Sequence, residues 1–130
     1  MKLLLDTQIF IWWDSEPHKL STDVLKALND PANVLVLSVA SIWEMQIKSQ
    51  IGKLTLRLPL KRLIDGQRSM NGLRVLAIRD KHIFALNGLR LDINHKDPFA
   101  RLLIAQAIAE QMEIVSVDPL FKNYPVTVVP

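Results

Sequence analysis

Cysteine is absent from this chain, and only 4 of its 130 residues are glycine. Without thiols there can be no disulfide and no thiolate zinc site, which suits a reducing compartment. Candidate metal ligands are thereby limited to carboxylates and three histidines, His18, His82 and His95. The glycines, at positions 52, 66, 72 and 88, are too sparse for a P-loop or a dinucleotide fingerprint. Neither GxSxG nor HExxH occurs, which removes the common hydrolase and zincin signatures. No apolar run reaches the roughly 18 residues needed to span a bilayer. Asp6 comes too early for a signal-peptide core. The expectation is a soluble cytoplasmic protein with no membrane association, folded as one domain over residues 1–130.

What the chain does have is an uneven distribution of charge. The net charge of +3 conceals a basic middle: residues 48–101 hold 12 Lys/Arg but only 4 Asp/Glu. The remainder holds 4 Lys/Arg and 9 acids. A basic block can track a phosphate backbone, and clustered acids can hold a divalent cation. Solvated helix faces would produce the same count.

Hydrophobic patterning alternates between strand and helix. Short apolar strands are predicted at Lys2–Leu5, Val34–Leu37, Arg74–Ile78, Ile114–Val117 and Val126–Val129. Between them, helices are predicted over 7–13, 22–29, 39–50, 59–70 and 81–89, with a further one opened by Asp97-Pro98 and running to Met112. Such alternation predicts an α/β sandwich around a mainly parallel sheet, whose sites lie at the carboxyl ends of the strands. Phe10, Trp12 and Trp13 exceed what one helix stripe buries, so they predict either core packing or a dimer or partner surface.

Four acids stand at informative places. Asp6 ends the first strand and could cap the helix that follows. Asp118 follows the fourth strand and precedes Pro119, where it could cap a turn. Glu44 falls on an otherwise apolar stripe with Ala40, Ile47 and Ile51, so it should face inward, unless Lys48 one turn on simply pairs with it. Asp97 before Pro98 is a good helix cap in its own right. Gathered at one sheet edge, such carboxylates raise one another's pKa, and a hard cation such as Mg²⁺ or Mn²⁺ relieves the repulsion. One or two such ions could then activate water against a phosphodiester.

These residues resemble the motifs of PIN domains. Leu3-Leu4-Leu5-Asp6-Thr7 resembles the opening motif, and Ser38 to Glu44 the second. His95-Lys96-Asp97-Pro98-Phe99-Ala100-Arg101 with its apolar continuation to Ala107 resembles the third, in the form common among VapC-like toxins. Ile114-Val115-Ser116-Val117-Asp118 resembles the fourth, and Tyr124-Pro125-Val126 suits the same toxins. The resemblance implies a PIN-like three-layer sandwich and a Mg²⁺- or Mn²⁺-dependent endoribonuclease. It also implies inhibition by a VapB-like antitoxin, and usually a homodimer. Carried over by position, it makes Asp6, Glu44 and Asp118 metal-binding acids and Ser116 a supporting hydroxyl.

One position departs from that pattern. These toxins commonly read Asp-Pro-Phe-Asp-Arg, whereas this chain has Ala100 before Arg101. The third carboxylate is therefore either Asp97 or missing. If it is missing, the alternative is a weakened PIN domain that binds antitoxin and RNA without cutting efficiently. A phosphatase of the Asp-x-Asp type is disfavoured, because Asp6 is followed by Thr7 and Gln8.

Overall fold

Leu3, Leu4 and Leu5 are all fully buried, with no alternation between in and out. A strand covered on both faces needs that pattern, and a parallel sheet flanked by helices supplies it. In the computed structural model, which describes residues 1–89, 97–124 and 128–129, this strand is β1 (Lys2–Leu5), the middle one of a five-stranded sheet. The others are β2 (Val34–Ser38), β3 (Arg74–Leu76), β4 (Glu113–Val115) and β5 (Val128–Val129). The order is β3-β2-β1-β4-β5, and every described pairing is parallel. Leu4 lies beside Val36 on one side and Ile114 on the other.

Six α-helices complete the described architecture: α1 (Thr7–Ser15), α2 (Thr22–Asn29), α3 (Val39–Gln50), α4 (Leu60–Asn71), α5 (Asp80–Ala85) and α6 (Pro98–Glu110). The two faces of the sheet nucleate two cores. Leu3, Leu5, Leu35, Leu37 and Val115 pack with Ile9 and Phe10 of α1, Val24 and Leu28 of α2, Met45 of α3 and Leu63 of α4. Leu4, Val36 and Ile114 pack with Ala100, Leu103, Ile104 and Ala107 of α6. These layers are the PIN-like three-layer sandwich with helices on both faces. Phe10 belongs wholly to the core, while Trp12 and Trp13 are half-buried against it.

Several elements stop short of the sequence expectation for local reasons. β3 ends at Leu76 because the backbone N–H of Arg79 turns to the His82 ring, 3.0 Å away, to open α5. That helix ends at Ala85 and tightens into a 3₁₀ turn over Leu86–Gly88. β4 ends at Val115 because the Ser116 hydroxyl accepts the Asp118 N–H at 3.0 Å and turns the chain out of the ladder. The inward stripe of α3 is also narrower than periodicity suggested: Ala40 and Glu44 are buried, but Ile51 lies past the helix and is exposed. His95 and Val126, which carried expectations, lie outside the described residues.

Candidate active site

From β1 the chain moves outward to β2 and β3, then returns to the other side of β1 to lay down β4 and β5. The carboxyl ends of β1 and β4 are therefore a topological switch point, where loops diverge and leave a crevice. Asp6 follows β1 there, and its backbone N–H still bonds to Val115 O of β4 at 3.0 Å. Ser116 leaves β4 directly opposite. Its hydroxyl donates to Asp6 Oδ2 at 2.9 Å while accepting the Asp118 N–H, so one serine ties both acids to the sheet edge.

Glu44 arrives from α3, which starts without a loop after β2 because Ser38 caps it, accepting the Ala40 N–H. Its carboxylate is buried and fully engaged. Thr7 donates to Oε1 at 2.7 Å, and the Lys48 ammonium sits 2.7 Å from Oε2. Thr7 has a single hydroxyl proton, and a carboxylate only accepts, so Ser41 must supply the proton of the 2.9 Å Thr7–Ser41 contact. Both readings of Glu44 thus hold at once: it faces inward and it is paired with Lys48.

Asp6, Glu44, Asp97 and Asp118 all line one cavity of about 240 Å³, with Ala100, Lys48, Thr7 and Gln8, and with apolar walls from Ile11, Val117 and Phe121. Burial is the chief reason that the Asp6 carboxyl rises from 3.8 to about 6. The negative charges of Glu44 and Asp118 push it further up, against the Ser116 hydroxyl and the Thr7 backbone N–H, which pull it down. The Asp6 side chain makes no helix-capping bond to α1. Asp118 and Asp97 each cap as well as line the cavity: Asp118 accepts from Leu120 N at 2.9 Å, and Asp97 from Phe99 N at 3.0 Å. Ala100 stands in the first turn of α6 and lines the cavity wall, the placement expected from its position after Pro98.

The donor set fits a hard divalent cation. It is all oxygen, partly buried, and self-repelling, so a cation would relieve the strain that lifts Asp6. In the present rotamers, however, no three acidic or imidazole groups among the described residues meet closely enough to enclose an ion. Glu44, Asp97 and Asp118 each also accept a hydrogen bond from a partner within the protein. Of the histidines, His18 lies exposed in the 3₁₀ turn after α1, and His82 is fully buried in a separate cluster with Glu110. Sequence reasoning missed Thr7 as the partner of Glu44. Its position beside Asp6 was the available hint, but the pairing spans 37 residues.

The sequence matches the profile of the family described as PIN domain over residues 3–126. No curated protein sequence matches the chain. Among solved structures, it is similar to VapBC2 from Rickettsia felis bound to a DNA fragment from the promoter, with a TM-score of 0.65 at 20% identity, covering 99% of this chain and 98% of that one. It is also similar to FitAcB from Neisseria gonorrhoeae (TM-score 0.63, 16% identity, 98% and 96% coverage). A toxin–antitoxin complex from Klebsiella pneumoniae gives a TM-score of 0.62 at 17% identity, with 98% and 96% coverage. At these identities the likeness is one of fold.

Proposed function

Because the chain belongs to the PIN-domain family, we propose that it is a Mg²⁺- or Mn²⁺-dependent endoribonuclease, the toxin half of a VapC-type pair acting in the cytoplasm. The observation that carries this reading is the convergence of Asp6, Glu44, Asp97 and Asp118 on one cavity at the switch point of the sheet, where burial and neighbouring charge lift the Asp6 carboxyl to about 6. Asp6, Glu44 and Asp118 are the residues that would hold the metal, with Asp97 as the fourth candidate. When bound, a divalent cation of this kind lowers the pKa of its water and neutralises charge on a phosphodiester. Ser116 keeps Asp6 pointed into the cavity, and Thr7 does the same for Glu44. The Ile11, Val117 and Phe121 walls limit water around the acids. The single domain spans the sequence, and a second copy completes the expected homodimer.

A VapB-like antitoxin is the proposed partner, supported by solved neighbours that are themselves toxin–antitoxin complexes. Incubation of the purified chain with single-stranded RNA and Mn²⁺ tests the activity. Internal cleavage that stops on chelation, and is lost in Glu44→Gln, is the expected result. Release of phosphate from small esters with RNA left intact would overturn it.

A second reading rests on Ala100. Its methyl takes a place on the cavity wall where a carboxylate would add a ligand, so this chain would be a slow nuclease that chiefly binds antitoxin and RNA. Parent protein that binds both but cleaves no faster than Glu44→Gln would favour this reading.

A further inference from the structure

Among the described residues that line the acid cavity, Lys48 alone carries a positive charge. It rises from α3 one turn after Glu44, and its ammonium lies 2.7 Å from Glu44 Oε2. The lysine side chain is 48% exposed whereas that of Glu44 is 11% exposed, so the lysine is free to turn and the glutamate is not. Because Glu44 is buried, this is not a surface pair, and its role is electrostatic: Asp6, Glu44 and Asp118 crowd the cavity, and one ammonium offsets one of them.

The same contact competes for the site. With Thr7 on Oε1 and Lys48 on Oε2, each Glu44 oxygen already has one partner, and the Lys48 ammonium puts a positive charge where a metal cation would approach. A lysine ammonium is a point charge on a flexible four-carbon stem, and it can change partner without moving its helix. Next to a dication it would be repelled, and its half-exposed stem lets it swing towards the cavity mouth, where a substrate's backbone would enter.

We propose that Lys48 is an exchangeable counter-cation of the acid site, holding Glu44 in the metal-free chain and releasing it to contact a phosphate oxygen of the RNA once a divalent cation is bound. This rests on the ribonuclease reading above. It assigns Lys48 two anionic partners in turn, the first within the protein and the second on the substrate.

The test uses the full chain and its Lys48→Met and Lys48→Arg variants. Mn²⁺ affinity is measured by calorimetry. Affinity for a hydrolysis-resistant, phosphorothioate-linked single-stranded oligoribonucleotide is measured with and without Mn²⁺. Lys48→Met should bind Mn²⁺ at least about threefold tighter than the parent, because its competitor is gone. Its loss of oligonucleotide affinity should be about fivefold greater with Mn²⁺ than without, because only then does the lysine reach phosphate. Lys48→Arg should recover oligonucleotide binding in Mn²⁺. Weaker or equal Mn²⁺ binding by Lys48→Met, in a parent that binds Mn²⁺ and cuts RNA, overturns the exchange and leaves the nuclease reading intact. An equal loss of oligonucleotide affinity in both buffers also overturns it, making Lys48 a permanent phosphate contact. If neither parent nor Lys48→Met binds Mn²⁺ and RNA is untouched, the nuclease reading fails and the exchange falls with it.

Discussion

Two clusters of ionisable groups are built into opposite parts of this molecule, and they are managed in opposite ways. At α5 and α6 the buried His82 ring contacts Glu110 at 2.9 Å through Nε2 and accepts the Arg79 N–H at 3.0 Å through Nδ1. Acceptance at Nδ1 places the ring proton on Nε2, pointing at the carboxylate. Lys81 closes the cluster on Glu110 at 2.9 Å. His82, then Lys81, hold the Glu110 carboxyl below its ordinary range. At the carboxyl ends of β1 and β4, by contrast, burial and neighbouring acids push Asp6 up to about 6. One cluster satisfies its charges and locks two helices together, and the other retains repulsion that a ligand can relieve. Polar clusters that settle their own charge read as structure, and those left in deficit read as sites.

The comparison can be broken most forcefully at Asp6. Asp6→Asn keeps the shape and removes a ligand charge, so Mn²⁺-dependent RNA cleavage should fall by about 100-fold or more, roughly 2.7 kcal/mol of barrier. Cleavage within a few-fold of the parent would remove Asp6 from the metal set. The mirror experiment is His82→Phe, which removes the acceptor of the Arg79 N–H and one partner of the Glu110 carboxylate. Urea unfolding should show a loss of about 2–3 kcal/mol, while Mn²⁺ affinity stays put. A change in Mn²⁺ binding there would mean that the two clusters are coupled.

Stability against pH sharpens the contrast further. The folded-state value for Asp6 lies above the ordinary 3.8, so the native chain holds that proton more tightly than the unfolded chain does. Its contribution is most favourable below pH 3.8 and is lost as pH rises towards about 6. In metal-free buffer at pH 7, Asp6→Asn should therefore be more stable than the parent by roughly 1–3 kcal/mol. The gain should vanish near pH 4. Thermal melts of both proteins across that range check it, and a gain independent of pH would point to packing instead.

The smallest expected effect concerns the deficit itself. Ala100→Asp adds a carboxylate to the cavity wall and should strengthen Mn²⁺ binding and raise cleavage about tenfold, near 1.4 kcal/mol. Asp97→Asn beside it decides which position serves as the third acid. A silent Ala100→Asp with a dead Asp97→Asn would assign that role to Asp97.

Much of this was legible in the residues. The apolar run Val34–Leu37 pointed to a strand of a buried parallel sheet, and the α3 span 39–50 was read with the bounds the structure gives it. The acids converge as a consequence of strand order: Asp6 follows β1 directly, Asp118 lies three residues past the end of β4, and β1 and β4 are neighbours. What sequence could not convey were contacts without a period. Thr7 meets Glu44 across 37 residues and His82 meets Glu110 across 28, each fixed by how helices rotate on the sheet. Asp97 and Asp118 resisted assignment for another reason. Capping and cavity lining are not alternatives there, since the same carboxylates do both.

The central strand has one more consequence, in the order of synthesis. β1 is made before β4, and the Ser116 hydroxyl that orients Asp6 lies 110 residues later, on the far side of the same seam. A ribosome-bound chain that has not yet released β4 carries Asp6 on an unpaired strand edge, with neither Ser116 nor Asp118 beside it. Such a nascent chain has no assembled acid cavity. On the nuclease reading proposed above, the chain stays inert during synthesis until β4 and the residues that follow it have been made.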